Sequence, residues 1–351
     1  MTRRTLSSLL ACGLLLVLVV AMAFLPVPYV TMSPGPTVDV LGDTKGEPII
    51  EVSGHRTFPT DGDLRLTTVS VTGPQQRLSL VAAMAAWFDG SRAVYPRDAI
   101  YEPDKTADDV ETESSVAMVS SQDNAIAAAL TELGYDVPVT TEILAVTKGS
   151  AAQGKLRVRD RVVSVNGQQV TSTAQVSRII QRSGVGGDAE FVVRRAGALQ
   201  RVTVTARASD DDPKKAVVGV VVGPGYEFPF EVAVNLSEDI GGPSAGLIFS
   251  LAVYDKLTPG ALTAGVDVAG TGTIAEDGSV GPIGGIAQKI VAAADAGAEL
   301  FLVPPDNCDS ALGADVSEDE IRLVRAPTMH SAVESLQAYA RNKSADLPRC
   351  R

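Results

Sequence analysis

The sequence predicts an α+β multidomain chain behind an N-terminal transmembrane helix. Three observations predict it. No charge falls between Arg4 and Asp39, and a dense apolar run fills residues 9–25. Short β-branched runs alternate with helix-period segments across the rest. The 351 residues, 45% apolar and 21% charged, suffice for two or three globular cores.

With Val27 to Val30 added, the apolar run reaches the ~20 residues a bilayer core demands. Arg3 and Arg4 then place the N-terminus in the cytoplasm and the bulk of the chain on the extracytoplasmic side of the cell membrane, as a single-pass protein. The competing reading is a cleaved signal peptide at Ala21-Met22-Ala23; the run exceeds the ~7–15 residues of a signal core, which favours an uncleaved anchor. Cys12 follows too little apolar sequence for a lipoprotein site and reads as a membrane residue. Cys308 and Cys350 then face an oxidising compartment, and the sequence leaves their pairing open. A net charge of -12 opposes nucleic-acid phosphates. Two histidines and three cysteines show no metal-ligand spacing, so neither metal nor cofactor is expected.

Residues 32–43 are Pro/Gly-rich and read as a linker. "PIIEVSG" and "DLRLTTVSV" read as strands. "GPQQRLSLVAAMAAWFDG" reads as a helix with Leu80, Met84 and Trp87 on one face. "YEPDKTADDVETESS" reads as a solvated acidic loop or linker, and residues 121–135 as a helix capped by Gly134. No chemistry is visible in residues 32–115, and His55 has no obvious partner.

Gly149 to Lys155 spells six-sevenths of a phosphate-binding loop, but Leu156 stands where Ser or Thr must hold Mg²⁺, so no ATP site is expected. The stretch reads better in another way. "GSAA" and then Leu156, Asp160, Val162, Val165, Asn166 and Gly167 resemble the bacterial PDZ signature. Asn166-Gly167 suits a tight hairpin turn, "STAQVSRIIQRSG" a helix with Val176, Ile179 and Ile180 inward, and "DAEFVVRRAGALQRVTVTA" a closing strand pair. The resemblance implies a groove for peptide termini, added as a strand to a sheet edge. It is expected between residues 139–146 and the helix at 174–182, with Leu133, Gly134 and Tyr135 as carboxylate loop.

"AVVGVVVG" and "FPFEVAVNL" read as buried strands, followed by "GGPSAGLIFSLAVYDKL". Pro243 suits a first helical turn, so Ser244 is expected at a helix start, on the face of Leu247, Ile248 and Leu251. Helix-start N–H groups beside it suit a developing oxyanion. A serine nucleophile needs a base. His55 and His330 sit in no triad context. Lys289 lies about 60° from Ile286 on the inner face of the next helix, the only charge between Asp277 and Asp295. A buried lysine loses hydration, its pKa falls, and a neutral amine can act as base; the alternative is a lysine snorkelling to the surface.

"GGPSAG" and "GTGTIAEDGSVGPIGGIAQK" together resemble the proteolytic domain of Lon proteases. That resemblance implies a Ser244–Lys289 dyad, Thr271 as its support, and oxyanion donors on the backbone near Gly242 and Pro243. Many Lon proteases carry Asp three residues before the serine; here that position is Gly241, with Asp239 at another offset. The whole arrangement, with the linker "YVTMSPGPT", resembles the membrane-anchored, PDZ-containing Lon-like proteins of bacteria. It implies an ATP-independent serine endopeptidase that cuts unfolded or flexible exported polypeptides, and a homohexamer. The alternative is a non-enzymatic PDZ scaffold with an inactive Lon-like domain. The expected units are 1–31 (N-terminus and membrane helix), 32–120 (linker and membrane-proximal α/β region), 121–208 (PDZ) and 209–345 (Lon-like proteolytic domain).

Overall fold

The computed structural model describes residues 3–44, 46–102, 105–209, 212–236, 240–317 and 319–351. Asp239 lies outside them, as do the side chains of Arg3 and Arg4, which set the expected membrane topology. In chain order the principal helices are α1 (Arg3–Ala23), α2 (Leu80–Trp87), α3 (Ala107–Glu132), α4 (Thr173–Ser183), α5 (Gly246–Leu257), α6 (Ile286–Asp295) and α7 (Met329–Arg341). The principal strands are β1 (Tyr29–Asp39), β2 (Ile50–Ser53), β3 (Asp63–Val71), β4 (Ala93–Pro96), β5 (Val139–Val146), β6 (Arg161–Val165), β7 (Asp188–Arg195), β8 (Ala198–Thr205), β9 (Val220–Tyr226), β10 (Glu231–Val234), β11 (Asp267–Gly270), β12 (Leu300–Val303) and β13 (Arg322–Arg325).

The transmembrane expectation needs correction: among the described residues no helix is long and apolar enough to cross a membrane. Residues 26–30 add no length to α1. Pro26–Val27 pair with Leu78–Ser79, and Tyr29 and Val30 enter β1, so the residues counted toward the span are strand. Helix α1 stops at Ala23, with Leu9 to Met22 about half or more exposed. Helix α2 forms as expected, and the face of Leu80, Met84 and Trp87 is not its buried one. Ala83 and Ala86 are buried, whereas Met84 and Trp87 are exposed.

One large sheet runs β13–β12–β11–β3–β1–β4. Strands β3, β11, β12 and β13 pair in parallel, and β1 pairs antiparallel with β3 and β4. Alternation sends Val268, Leu300 and Leu302 into a core shared with α3, α5 and α7. Ala269, Phe301 and Val303 face α6, in a core that also holds the Cys308–Cys350 disulfide. Residues 32–120 therefore share one core with the C-terminal third rather than folding apart.

The acidic stretch before residue 115 is not a linker. Thr106 and Asp109 form a reciprocal capping box, and α3 runs from Ala107 without a break to Glu132. Ile126, Ala129 and Leu130 of this helix pack in the large core rather than in the core of the unit at 121–208 to which the sequence assigned them.

The second sheet runs β8–β7–β6–β5–β9 around a separate core of Ile143, Val165, Val176, Ile180 and Phe191. Asn166 and Gly167 take φ +50° and +74°, the left-handed pair that a two-residue hairpin requires. The Gly149–Lys155 stretch is a turn between β5 and β6, with Leu156 buried in this core, and no helix follows it.

Candidate active site

Strand β10 pairs with β2 and hands the chain to the loop before α5. Gly241 is pressed against α3: a Cβ there would come 2.2 Å from Ser114 Oγ, so a side chain at this position would make the Ser114 hydroxyl turn away. Gly242 turns with φ +87°, and Pro243 stiffens the next step. Helix α5 begins at Gly246, so Ser244 lies just ahead of the helix rather than in its first turn. Gly285 caps α6 at φ +71°, under Met32 and Val69, and one turn later Lys289 projects inward, 2% exposed.

The two meet. Lys289 Nζ stands 2.7 Å from Ser244 Oγ across 45 residues of sequence, and 3.0 Å from Thr271 Oγ1. Thr271, fully buried just past β11, donates to the Ser244 carbonyl at 2.9 Å, and Gly272 N–H donates to the same oxygen at 2.8 Å. Threonine thus touches both members of the pair. Burial pushes the Lys289 ammonium down to about 8, and among the described residues no carboxylate pairs with it. A lysine poised there is neutral often enough to take a proton from a serine hydroxyl. A cavity of about 240 Å³ opens beside the pair, walled by Pro36, Leu66, Val69, Met118 and Ile240. Three of those walls come from residues 32–115, the region in which the sequence showed no chemistry.

The remaining site expectations fare differently. Pro243 carries no N–H and cannot donate to an oxyanion; its carbonyl accepts from Ser121 Oγ at 2.9 Å. Gly242 N–H lies 3.4 Å from the Ser114 carbonyl. Leu133, Gly134 and Tyr135 form no carboxylate loop. They end α3, with Tyr135 N–H bonded to the Leu130 carbonyl, and Tyr135 Oη meets His55 Nε2 at 3.0 Å beside Phe230. The other histidine, His330, bonds Glu132.

The expected peptide groove also moves. Both edges of β5 are taken, by β6 and by β9, so it cannot accept a further strand. Strand β9 ends the sheet instead, and a cleft of about 650 Å³ separates it from α4. Val176, Ser177 and Ile180 line one side, Val218, Gly219, Val220 and Val222 the other, with Arg207 and Lys215 at the rim. Gln181 clamps the loop before β9 by exchanging two hydrogen bonds with the Ala216 backbone.

Sequence reasoning missed a third group between the two units. Asp123 of α3 and Glu142 of β5 are both buried, and Arg159, at φ +67°, reaches Asp123 at 3.5 Å and Gln122 at 2.6 Å. Burial, then the Asp123 carboxylate, pushes Glu142 up to about 7. No local pattern announces this contact between distant segments.

Residues 142–195 match the model of the PDZ domain, and residues 237–333 that of the Lon protease (S16) C-terminal proteolytic domain. A probable periplasmic serine endoprotease DegP-like of Pseudomonas savastanoi pv. phaseolicola is 36% identical over 95 residues, covering 27% of this chain and 19% of that protein. Lon protease 2 of Bacillus subtilis is 23% identical over 177 residues, 50% of this chain and 29% of that one. Lon protease of Phenylobacterium zucineum is 46% identical over 66 residues, 19% and 8% of the two chains. The matches thus span less than a third of these relatives. They support a serine peptidase, built from a PDZ domain and a Lon-type proteolytic domain.

Proposed function

We propose that the chain is an ATP-independent serine endopeptidase acting on unfolded or flexible exported polypeptides, through Ser244 as nucleophile and Lys289 as base. The observation that carries this reading is the 2.7 Å approach of a buried lysine to a serine beside an open cavity. Neutral Lys289 Nζ takes the Ser244 Oγ proton as Oγ attacks the peptide carbonyl carbon. The C–N bond then breaks while the ammonium returns that proton to the leaving amine. Water attacks the ester, giving its proton to Lys289 and then to Ser244 Oγ as the acid leaves. Thr271 supports the pair by holding the Ser244 carbonyl and meeting Lys289 Nζ. The cleft between α4 and β9 takes an extended peptide, as substrate or regulator.

The peptidase works at the outer face of a membrane. Two observations support this. The apolar side chains of α1 lie exposed beside α2, whose Val81 and Trp87, with Phe88 just after it, are exposed too, a surface suited to lipid. The Cys308–Cys350 disulfide suits an oxidising compartment. Flotation of the full chain with lipid vesicles tests the location, and light scattering reads the hexamer that the family resemblance implies.

The decisive experiment incubates the full chain in detergent with casein and no ATP, as wild type, Ser244→Ala and Lys289→Ala. Peptide release by wild type alone is expected. Equal release from all three would assign the cleavage to another nucleophile, and none from any would leave the chain a peptide-binding scaffold.

A further inference from the structure

Helix α3 lies outside the stretch that matches the proteolytic family, yet it grips the nucleophile loop. Ser114, Met118 and Ser121 follow one another at helical spacing on one face. The first lies against Gly241, the second walls the cavity, and the third donates to the Pro243 carbonyl at 2.9 Å.

That last bond is not the default for a buried helical serine. Such a hydroxyl ordinarily bonds a carbonyl of its own helix. In this molecule Ser250 bonds Leu247 and Ser335 bonds Ser331, each at 2.8 Å. Ser121, 3% exposed, turns off its helix and spends its proton on the residue before the nucleophile.

From this we infer that Ser121 is a positioning residue for the reaction, resting on the peptidase reading above. The peptide joining Pro243 to Ser244 is planar and trans, since the chain contains no cis bond. Its carbonyl and its N–H therefore point opposite ways. Holding the carbonyl with Ser121 fixes the direction of the Ser244 N–H, the nucleophile's own backbone donor. It also fixes the rotation from which Ser244 Oγ reaches Lys289. Thr271 and Gly272 hold the next carbonyl, so the peptide planes on both sides of Ser244 are anchored. Asn124, one turn along, donates to the Ile274 carbonyl and accepts from Tyr226 Oη at the end of β9. The same helix therefore seats on the loop, on the segment after Thr271 and on the strand that walls the peptide cleft.

The test compares Ser121→Ala with Ser335→Ala, a self-bonded serine of similar burial, in the full chain. A fluorogenic peptide cleaved by wild type gives kcat and KM, a fluorophosphonate reports Ser244 labelling, and melting reports stability. For Ser121→Ala we expect kcat and labelling rate to fall about fivefold or more, the scale of one lost neutral hydrogen bond. KM should stay within about twofold and the rise of rate with pH should keep its midpoint, because Lys289 is untouched. Ser335→Ala should keep wild-type kcat. An unchanged kcat in Ser121→Ala overturns the inference, as does a loss matched by Ser335→Ala or explained by lower melting alone. A wild type that neither cleaves nor labels overturns the peptidase reading and this inference with it.

Discussion

Lys289 and Glu142 are both buried titratable side chains, and they answer burial in opposite ways. Lys289 sits among apolar groups and two hydroxyls, and burial alone drives it down to about 8. Glu142 sits against Asp123, and burial and repulsion together drive it up to about 7. Each is pushed toward its neutral form, as a low dielectric demands. The difference is in what each can do once neutral. The lysine faces a hydroxyl and an open cavity, so its free electron pair has a proton to take. The glutamate lies on the seam between the two units, with Arg159 and Arg161 as nearby cations and no reacting partner, so its proton bears on stability alone. A shifted pKa marks a reactive group only where geometry supplies a reaction.

The sharpest way to break this contrast is to remove the reactive member. Ser244→Ala and Lys289→Ala should each lower kcat about a thousandfold or more. Lys289→Met should be as inactive, yet more stable near pH 7 by up to about 3 kcal/mol, since it ends the burial of a charge. Chemical denaturation reads that gain; a destabilised Met variant would refute the account of Lys289. In wild type, kcat/KM should climb roughly tenfold between pH 7 and 9, with a midpoint of about 8 as Lys289 loses its proton.

Glu142→Gln should leave that midpoint in place and act on stability. The folded protein holds the Glu142 proton to higher pH than the unfolded chain does, so wild-type stability falls as pH rises from about 4.5 to about 7. The Gln variant should lose this slope, matching wild type near pH 4.5 and exceeding it by about 2 kcal/mol at pH 8. Lys289 acts with the opposite sign: its folded pKa is depressed, so its contribution is full above about 10.5 and is lost as pH falls through about 8. Arg159→Ala should have the smallest effect, within about 1 kcal/mol, because this partly exposed cation is screened; it should raise the Glu142 midpoint further, as a carboxylate NMR titration would show.

The dyad was legible because its signal is local. Two glycine-rich stretches place Ser244 and Lys289 at the starts of helices, and helical periodicity turns Lys289 inward. The strands and turn of residues 139–205 were legible for the same reason. The carboxylate loop was misread because the sheet edge comes after the rest of that unit in sequence: Ala216 to Val222 looked like any buried strand. The capping box at Thr106 and Asp109 is a local signal that was overlooked beneath the surrounding acids. Ser121 and the Asp123–Glu142–Arg159 group had no signal at all, since each acquires its partner only when distant segments pack.

Strand β3 lies beside β11, with Asp63 opposite Asp267, and the whole cleft-bearing unit is threaded between them in the chain. On a ribosome, the first half of the peptidase sheet emerges long before the strand it must pair with. The compact unit at 139–226, rich in near-neighbour pairings, can fold while β1, β3 and α3 still wait. The nucleophile and its base come together only after Lys289 has been made. Synthesis order thus acts as a timer that withholds a working blade until residue 289 has left the ribosome.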